Sequence, residues 1–164
     1  MNMQRKSILY LLILSLSFGF IHLTANPALA CSCTSPPTDA ALKNSDVVFS
    51  GRVVGIKYLD DPQQRNPEPR TVVTFKVFRS WKGVSTQEFV LHTVDNHWTC
   101  QGYYFREGKD YLVFAFRHNA ESAKRLQPYK LPEKSWGVSL CGRTKLLSEA
   151  AKDLEILGEG STLK

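Results

Sequence analysis

Apolar side chains follow three successive spacings along this chain. Ile8–Ile21 is an almost unbroken apolar run without a charge. From residue 46 to about 116 the apolar positions alternate, or gather in short β-branched and aromatic stretches. Beyond Cys141 they recur at three- and four-residue intervals, at Leu146, Leu147, Ala150, Ala151, Leu154 and Leu157. A period of two marks strands with one buried face, and a period near 3.6 marks an amphipathic helix.

These periods predict an order of elements. Residues 31–37 contain two prolines and little apolar content, so they should be extended. Thr38 is placed to cap a short helix through about Asn44. Residues 46–58 read as a long strand, with Gly51 or Gly55 marking a bulge or bend. Residues 59–70, with three prolines among charged residues, predict an exposed loop. Thr71 to Trp81 alternates, with Val73, Phe75, Val77 and Arg79 on one face. Glu88–Val94 and Tyr111–Phe116 read as the third and fourth strands, the fourth central because it is nearly all apolar. Gln127–Leu131 and Trp136–Leu140 are weaker strand candidates. The helical stripe after Cys141 should pack on the sheet and end at Gly158 and Gly160. The fold class implied is mainly β, a five-stranded OB-fold-like barrel with a short N-terminal helix and a C-terminal helix.

The first apolar run is a different kind of segment. Arg5 and Lys6 precede it, and Ala28-Leu29-Ala30 follows it with the small-x-small pattern of a signal-peptidase site. Its 14 residues fall short of the roughly 20 needed to span a bilayer. We expect residues 1–30 to be a cleaved signal peptide and residues 31–164 the mature domain, secreted or periplasmic. A lipidated Cys31 is the rival reading, but Ala28 stands where lipid attachment usually takes a larger aliphatic residue. Membrane association is expected only in that case. The mature domain carries 19 basic and 15 acidic residues. The surplus is mild and scattered, so no nucleic-acid partner is expected, and a monomer is.

Export gives the four cysteines their meaning. Cys31, Cys33, Cys100 and Cys141 favour disulfides over a four-thiolate zinc site, because only the first two lie close together. Four cysteines allow three pairings. A Cys31–Cys33 bridge is strained, since near neighbours in an extended chain point apart. The choice between Cys100 and Cys141 for each stays open at this level. Either arrangement ties the new chain end to the domain.

Catalytic patterns are missing from the sequence. His92, Asp95 and His97 lie near one another and His118 is remote from them. These histidines read as exposed loop residues rather than ligands or acid–base groups. No nucleophile elbow, phosphate-cradling glycine loop or metalloprotease helix motif occurs, and Ser32 has no base placed beside it. We therefore expect no enzyme and no cofactor. Trp81, Trp98, Trp136 and the tyrosines read as core before they read as a ligand groove. What remains is the chain end. A free α-amino group has a pKa of about 7.7–8, so part of it is neutral near pH 7 and able to bind zinc. A rigid chain end could thereby fill the open position of a catalytic zinc.

The mature chain opens with Cys31-Ser32-Cys33-Thr34-Ser35-Pro36-Pro37, then Ala41-Leu42, then Asn44-Ser45-Asp46-Val47-Val48. On these residues the N-terminal region resembles the tissue inhibitors of metalloproteinases. It is dense over residues 31–48 and thin over the rest of the mature chain. The resemblance implies a netrin-like OB barrel in a single-domain form, with bridges Cys31–Cys100 and Cys33–Cys141. It implies that the Cys31 amine and carbonyl bind the zinc of a target protease in trans. Ser32 would enter the target's specificity pocket, Cys33 and Thr34 would follow along the cleft, and Trp98-Thr99 would form the adjacent part of the wedge. The sequence departs from the family at Lys43, where members carry a cysteine, and at Trp98, where a small residue is usual. The expected function is inhibition of zinc metalloendopeptidases. The alternative is a non-inhibitory binding module of the cell envelope or extracellular space.

Overall fold

The strands come from residues whose side chains suit a pleated, half-buried surface. The computed structural model describes residues 34–59, 70–94, 102–119, 131–132 and 134–163, all within the compact unit Cys31–Lys164. The expected signal peptide and the strand candidate at 127–130 lie outside the described residues. β1 (Val47–Tyr58), β2 (Arg70–Lys82), β3 (Glu88–Val94), β4 (Asp110–Arg117) and β5 (Trp136–Gly137) pair antiparallel in the spatial order β3-β2-β1-β4-β5. Two-residue strands extend the sheet: β6 (Lys145–Leu146) on β4 and β7 (Ser161–Thr162) on β2. The free edges β3 and β5 approach each other, and the Phe89 and Trp136 rings meet there at 5.6 Å. The sheet is therefore a nearly closed barrel, as the strand spacing predicts.

The long first strand reaches around this barrel by breaking its own register. β1 shifts against β2 between Val48 and Phe49, between Ser50 and Gly51, and between Val53 and Gly55. Each shift adds local twist and bend, so both glycines named as alternatives mark irregularities. At Gly51 the closeness is also steric: a Cβ there would stand 2.8 Å from the Lys76 carbonyl oxygen. The second shift sets Ser50 opposite Arg79 and Gly51 opposite Val77, which leaves Phe78 as the extra residue. The extra residue reverses the alternation. Val73, Phe75 and Val77 stay buried, but Ser80 rather than Arg79 takes the next inward place. The expectation for Arg79 is corrected accordingly.

Two apolar layers share β1 and β4. Inside the barrel, Val47, Phe49 and Val53 meet Phe75, Leu91, Tyr111, Val113 and Ala115. Phe49 and Phe75 pack edge to face at 5.4 Å, and Phe75 and Phe105 at 5.2 Å. Outside it, Val48, Leu112 and Phe114 are covered by Ala41, Ala150, Leu147, Leu154 and Leu157. Burial on both faces explains the unbroken apolar runs Val47–Phe49 in β1 and Tyr111–Phe116 in β4.

The covering helices are α1 (Thr38–Asn44) and α2 (Ala151–Leu157), the second preceded by a 3₁₀ turn at Leu147–Glu149. α2 is shorter than its stripe predicts. Leu146 is in β6 and packs toward the barrel interior, and Ala151 is exposed. The Trp136–Leu140 strand is likewise reduced to Trp136–Gly137. Thr38 does not cap α1; the helix starts at Thr38, behind Pro37, and its hydroxyl is used elsewhere. At the other end, Lys82 Nζ donates to the carbonyls of Leu42, Lys43 and Ser45. A cation there meets both the orphan carbonyls and the negative end of the helix dipole. Among the described residues no helix is long and apolar enough to cross a membrane.

Candidate functional site

The described chain opens with a segment, Thr34–Pro37, that belongs to neither helix nor sheet. Thr34, Ser35 and Pro37 are exposed, while Pro36 is half-buried. Two polar contacts hold its base. Arg143 Nη1 donates to the Pro36 carbonyl at 2.6 Å. Thr38 Oγ1 donates to Asp153 Oδ1 at 2.7 Å. The same Asp153 oxygen accepts from Arg143 Nε, and Lys145 Nζ stands 2.8 Å from Oδ2. One carboxylate on α2 thus gathers the start of α1 and the 143–145 segment.

That segment is itself docked on β4. The Phe114 N–H donates to Thr144 Oγ1 at 3.0 Å, and the hydroxyl donates back to the Phe114 carbonyl at 3.2 Å. Lys145 and Leu146 then pair with Leu112 and Tyr111. The side chains on either side of Thr144 are therefore fixed toward Asp153.

Asp153 is 1% exposed. Burial by itself would raise its pKa, but the bonds from Lys145, Thr38 and Arg143 outweigh it and hold the carboxyl below its ordinary value. The pair network is thus ionised at neutral pH, and its contribution to stability is lost as pH falls through the lowered pKa. The signal for Asp153 was present in the sequence. It lies three residues after Ala150 and four before Leu157, on the buried face of the stripe.

Of the residues expected to contact a target, Thr34 is described and exposed, outside helix and sheet. Cys31, Ser32, Cys33, Trp98 and Thr99 lie outside the described residues, as does Cys100. Cys141 is half-buried in the turn that follows Ser139, and it is not a free thiol. Its N–H donates to Ser139 Oγ at 3.3 Å.

Two of the histidines differ from expectation, while His97 and Asp95 lie outside the described residues. His118 is 3% exposed rather than on an exposed loop, and His92 is half-buried in β3. They are also neighbours, because the barrel closes β3 toward β5 and the end of β4. His118 packs edge to face on Phe116 at 5.3 Å and lies against Gly137, whose missing side chain makes room for the ring. Neither ring nitrogen of His118, nor Nδ1 of His92, has a hydrogen-bond partner among the described residues. Desolvation lowers both pKa values, and for His118 the neighbouring His92 acts in both directions. Among the described residues no group of three or more His, Cys, Asp or Glu could hold a metal ion.

The aromatic residues divide between core and surface. Tyr111 is buried, with its hydroxyl accepting from the Arg106 N–H at 3.0 Å. Burial pushes the Tyr103 hydroxyl up to about 12, with Tyr111 and Glu149 adding to it. Trp136 is half-buried against Phe89 and lies under Arg117 at 5.0 Å. Trp81 donates from Nε1 to the Gly158 carbonyl at 2.8 Å. Its ring lines an open groove of about 420 Å³ with Phe78, Arg79, Leu147 and Leu154. Compared with known proteins, the chain matches no family model and no curated sequence.

Proposed function

We propose that this protein is an exported inhibitor of zinc metalloendopeptidases that acts through a chain end at Cys31. The observation that carries the reading is Cys31-Ser32-Cys33 directly after a signal-cleavage pattern, leading into Thr34–Pro37, outside helix and sheet and exposed except at Pro36, tied at its base to the barrel. The Cys31 amine and carbonyl would occupy the target's zinc, with Ser32, Cys33 and Thr34 following the cleft. Bridges from Cys31 to Cys100 and from Cys33 to Cys141 belong to the same proposal. The Arg143–Pro36 bond supports the second, since Pro36 and Arg143 stand three and two residues from its two cysteines. A tethered wedge loses little conformational freedom on binding, which favours affinity.

The test uses the processed protein, the same protein with one alanine added before Cys31, and the protein acetylated at its amine. Each is assayed against a panel of zinc endopeptidases. Inhibition by the processed form alone is expected. Equal inhibition by all three would refute chelation.

The Trp81 groove favours the second reading, a binding module that holds an extracellular or envelope partner on the barrel exterior. Its mark would be a partner lost in Trp81→Ala and no protease inhibited.

A further inference from the structure

Arg143 stands out twice, by its backbone and by its side chain. Its φ is +74°, a left-handed conformation that is costly for a non-glycine residue and kept only where the surroundings hold it. Its guanidinium supplies such a hold: Nε donates to the buried Asp153 carboxylate and Nη1 to the Pro36 carbonyl. The fork of a guanidinium can serve two acceptors at a fixed angle, which an ammonium cannot. The two acceptors are far apart in sequence. One belongs to α2, and the other to the segment that leads back toward Cys33.

We propose that Arg143 is a positioning residue for the N-terminal segment, with Asp153 as its fixed anchor. Asp153 is the anchor of this arrangement. It is buried in α2 and held on its other oxygen by Lys145. It therefore sets the guanidinium plane, and the plane sets the Pro36 carbonyl. Thr38, bound to the same carboxylate, fixes the far end of the Pro36-Pro37 pair. Both prolines have a restricted φ. With residues 36 and 38 tied and the prolines stiff, the direction of Thr34 and Ser35 follows from the position of one carboxylate. This rests on the inhibitor reading, and it deepens that reading by assigning the wedge's orientation to a pair more than 100 residues away in sequence. A disulfide at Cys33 would limit how far the segment travels. The Arg143 contact would decide which way it points.

Two variants separate positioning from simple stability. Arg143→Lys keeps a cation beside Asp153 but replaces the planar fork with a single nitrogen that sets no fixed angle between the two acceptors. Arg143→Gly removes the contact while relieving the left-handed backbone, so it should fold. In the full exported chain with its disulfides intact, amide ¹⁵N order parameters of Thr34 and Ser35 are expected to fall from about 0.85 to below about 0.6 in both variants. Those of Ala40, Ala41 and Leu42 in α1 should stay unchanged. Against a zinc protease that the wild type inhibits, both variants should lose about tenfold in affinity. Unchanged order parameters at Thr34 and Ser35 would overturn the proposal, as would lost order with inhibition kept within twofold. If the wild type inhibits no protease, the inhibitor reading fails by itself, and the order parameters still decide the role of Arg143.

Discussion

Acidification should loosen this barrel through His118. The ring is 3% exposed and neither of its nitrogens finds a hydrogen-bond partner among the described residues. Burial lowers its pKa from the ordinary 6.5, so the folded state holds the ring neutral where the unfolded chain protonates it. The unfolded state then binds more protons, and stability rises with pH across that interval. The contribution is fully present above pH 6.5 and is withdrawn as pH falls below it. Between pH 7.5 and 5, a ring that stays neutral in the fold costs at most about 2 kcal/mol by linkage. His92, whose pKa is lowered by the same cause, adds to the effect but is more exposed and contributes less. The assay is urea unfolding at half-unit steps from pH 7.5 to 5, with disulfides kept oxidised. The midpoint should fall steadily below pH 6.5. His118→Leu, of similar bulk and without nitrogens to desolvate, should lose most of that slope and be no less stable at pH 7.5. A wild type whose stability is flat over this range would refute the reasoning, as would a His118→Leu variant that keeps the full slope.

Gly137→Ala tests the same place sterically. Its Cβ would stand 2.6 Å from His118 Cε1, so overpacking of about 1–3 kcal/mol is expected, read by urea unfolding at pH 7.5. His118→Ala in the same chain should restore much of that loss. Lys82→Met keeps the apolar stem but removes the ammonium that caps α1. A loss of about 1 kcal/mol is expected, or roughly 3 °C in thermal midpoint. An unchanged midpoint would mean the carbonyls of Leu42, Lys43 and Ser45 are satisfied equally well by water.

Sequence periodicity reports which face of an element is buried, because that follows from the local geometry of strand and helix. Hence the strand order of residues 46–116, the double burial of β4 and the two covering helices could be read before any coordinates. The readings failed where geometry departs from a regular repeat. The extra residue at Phe78 turned Arg79 outward, and the first residues of the C-terminal stripe became β6 and a 3₁₀ turn instead of helix. The inhibitory reading of the chain end also comes from sequence, from a cysteine pair at a cleavage pattern, and it remains a proposal to be tested at Cys31.

Partnership across the chain was a different matter. Asp153 is visibly a polar residue in an apolar stripe, but nothing in the sequence says that Thr38, Arg143 and Lys145 converge on it. His92 and His118 read as unrelated until barrel closure brings β3 to the end of β4. An alternating β chain with a helix at each end, and an unusual cysteine-bearing start, are written in the order of residues. Which buried charge holds that start, and which imidazoles lose their water, depends on how the barrel closes. The physical reason is that side-chain spacing encodes a direction relative to its own backbone, whereas a buried ion pair or an unpartnered imidazole depends on what the rest of the fold sets opposite it.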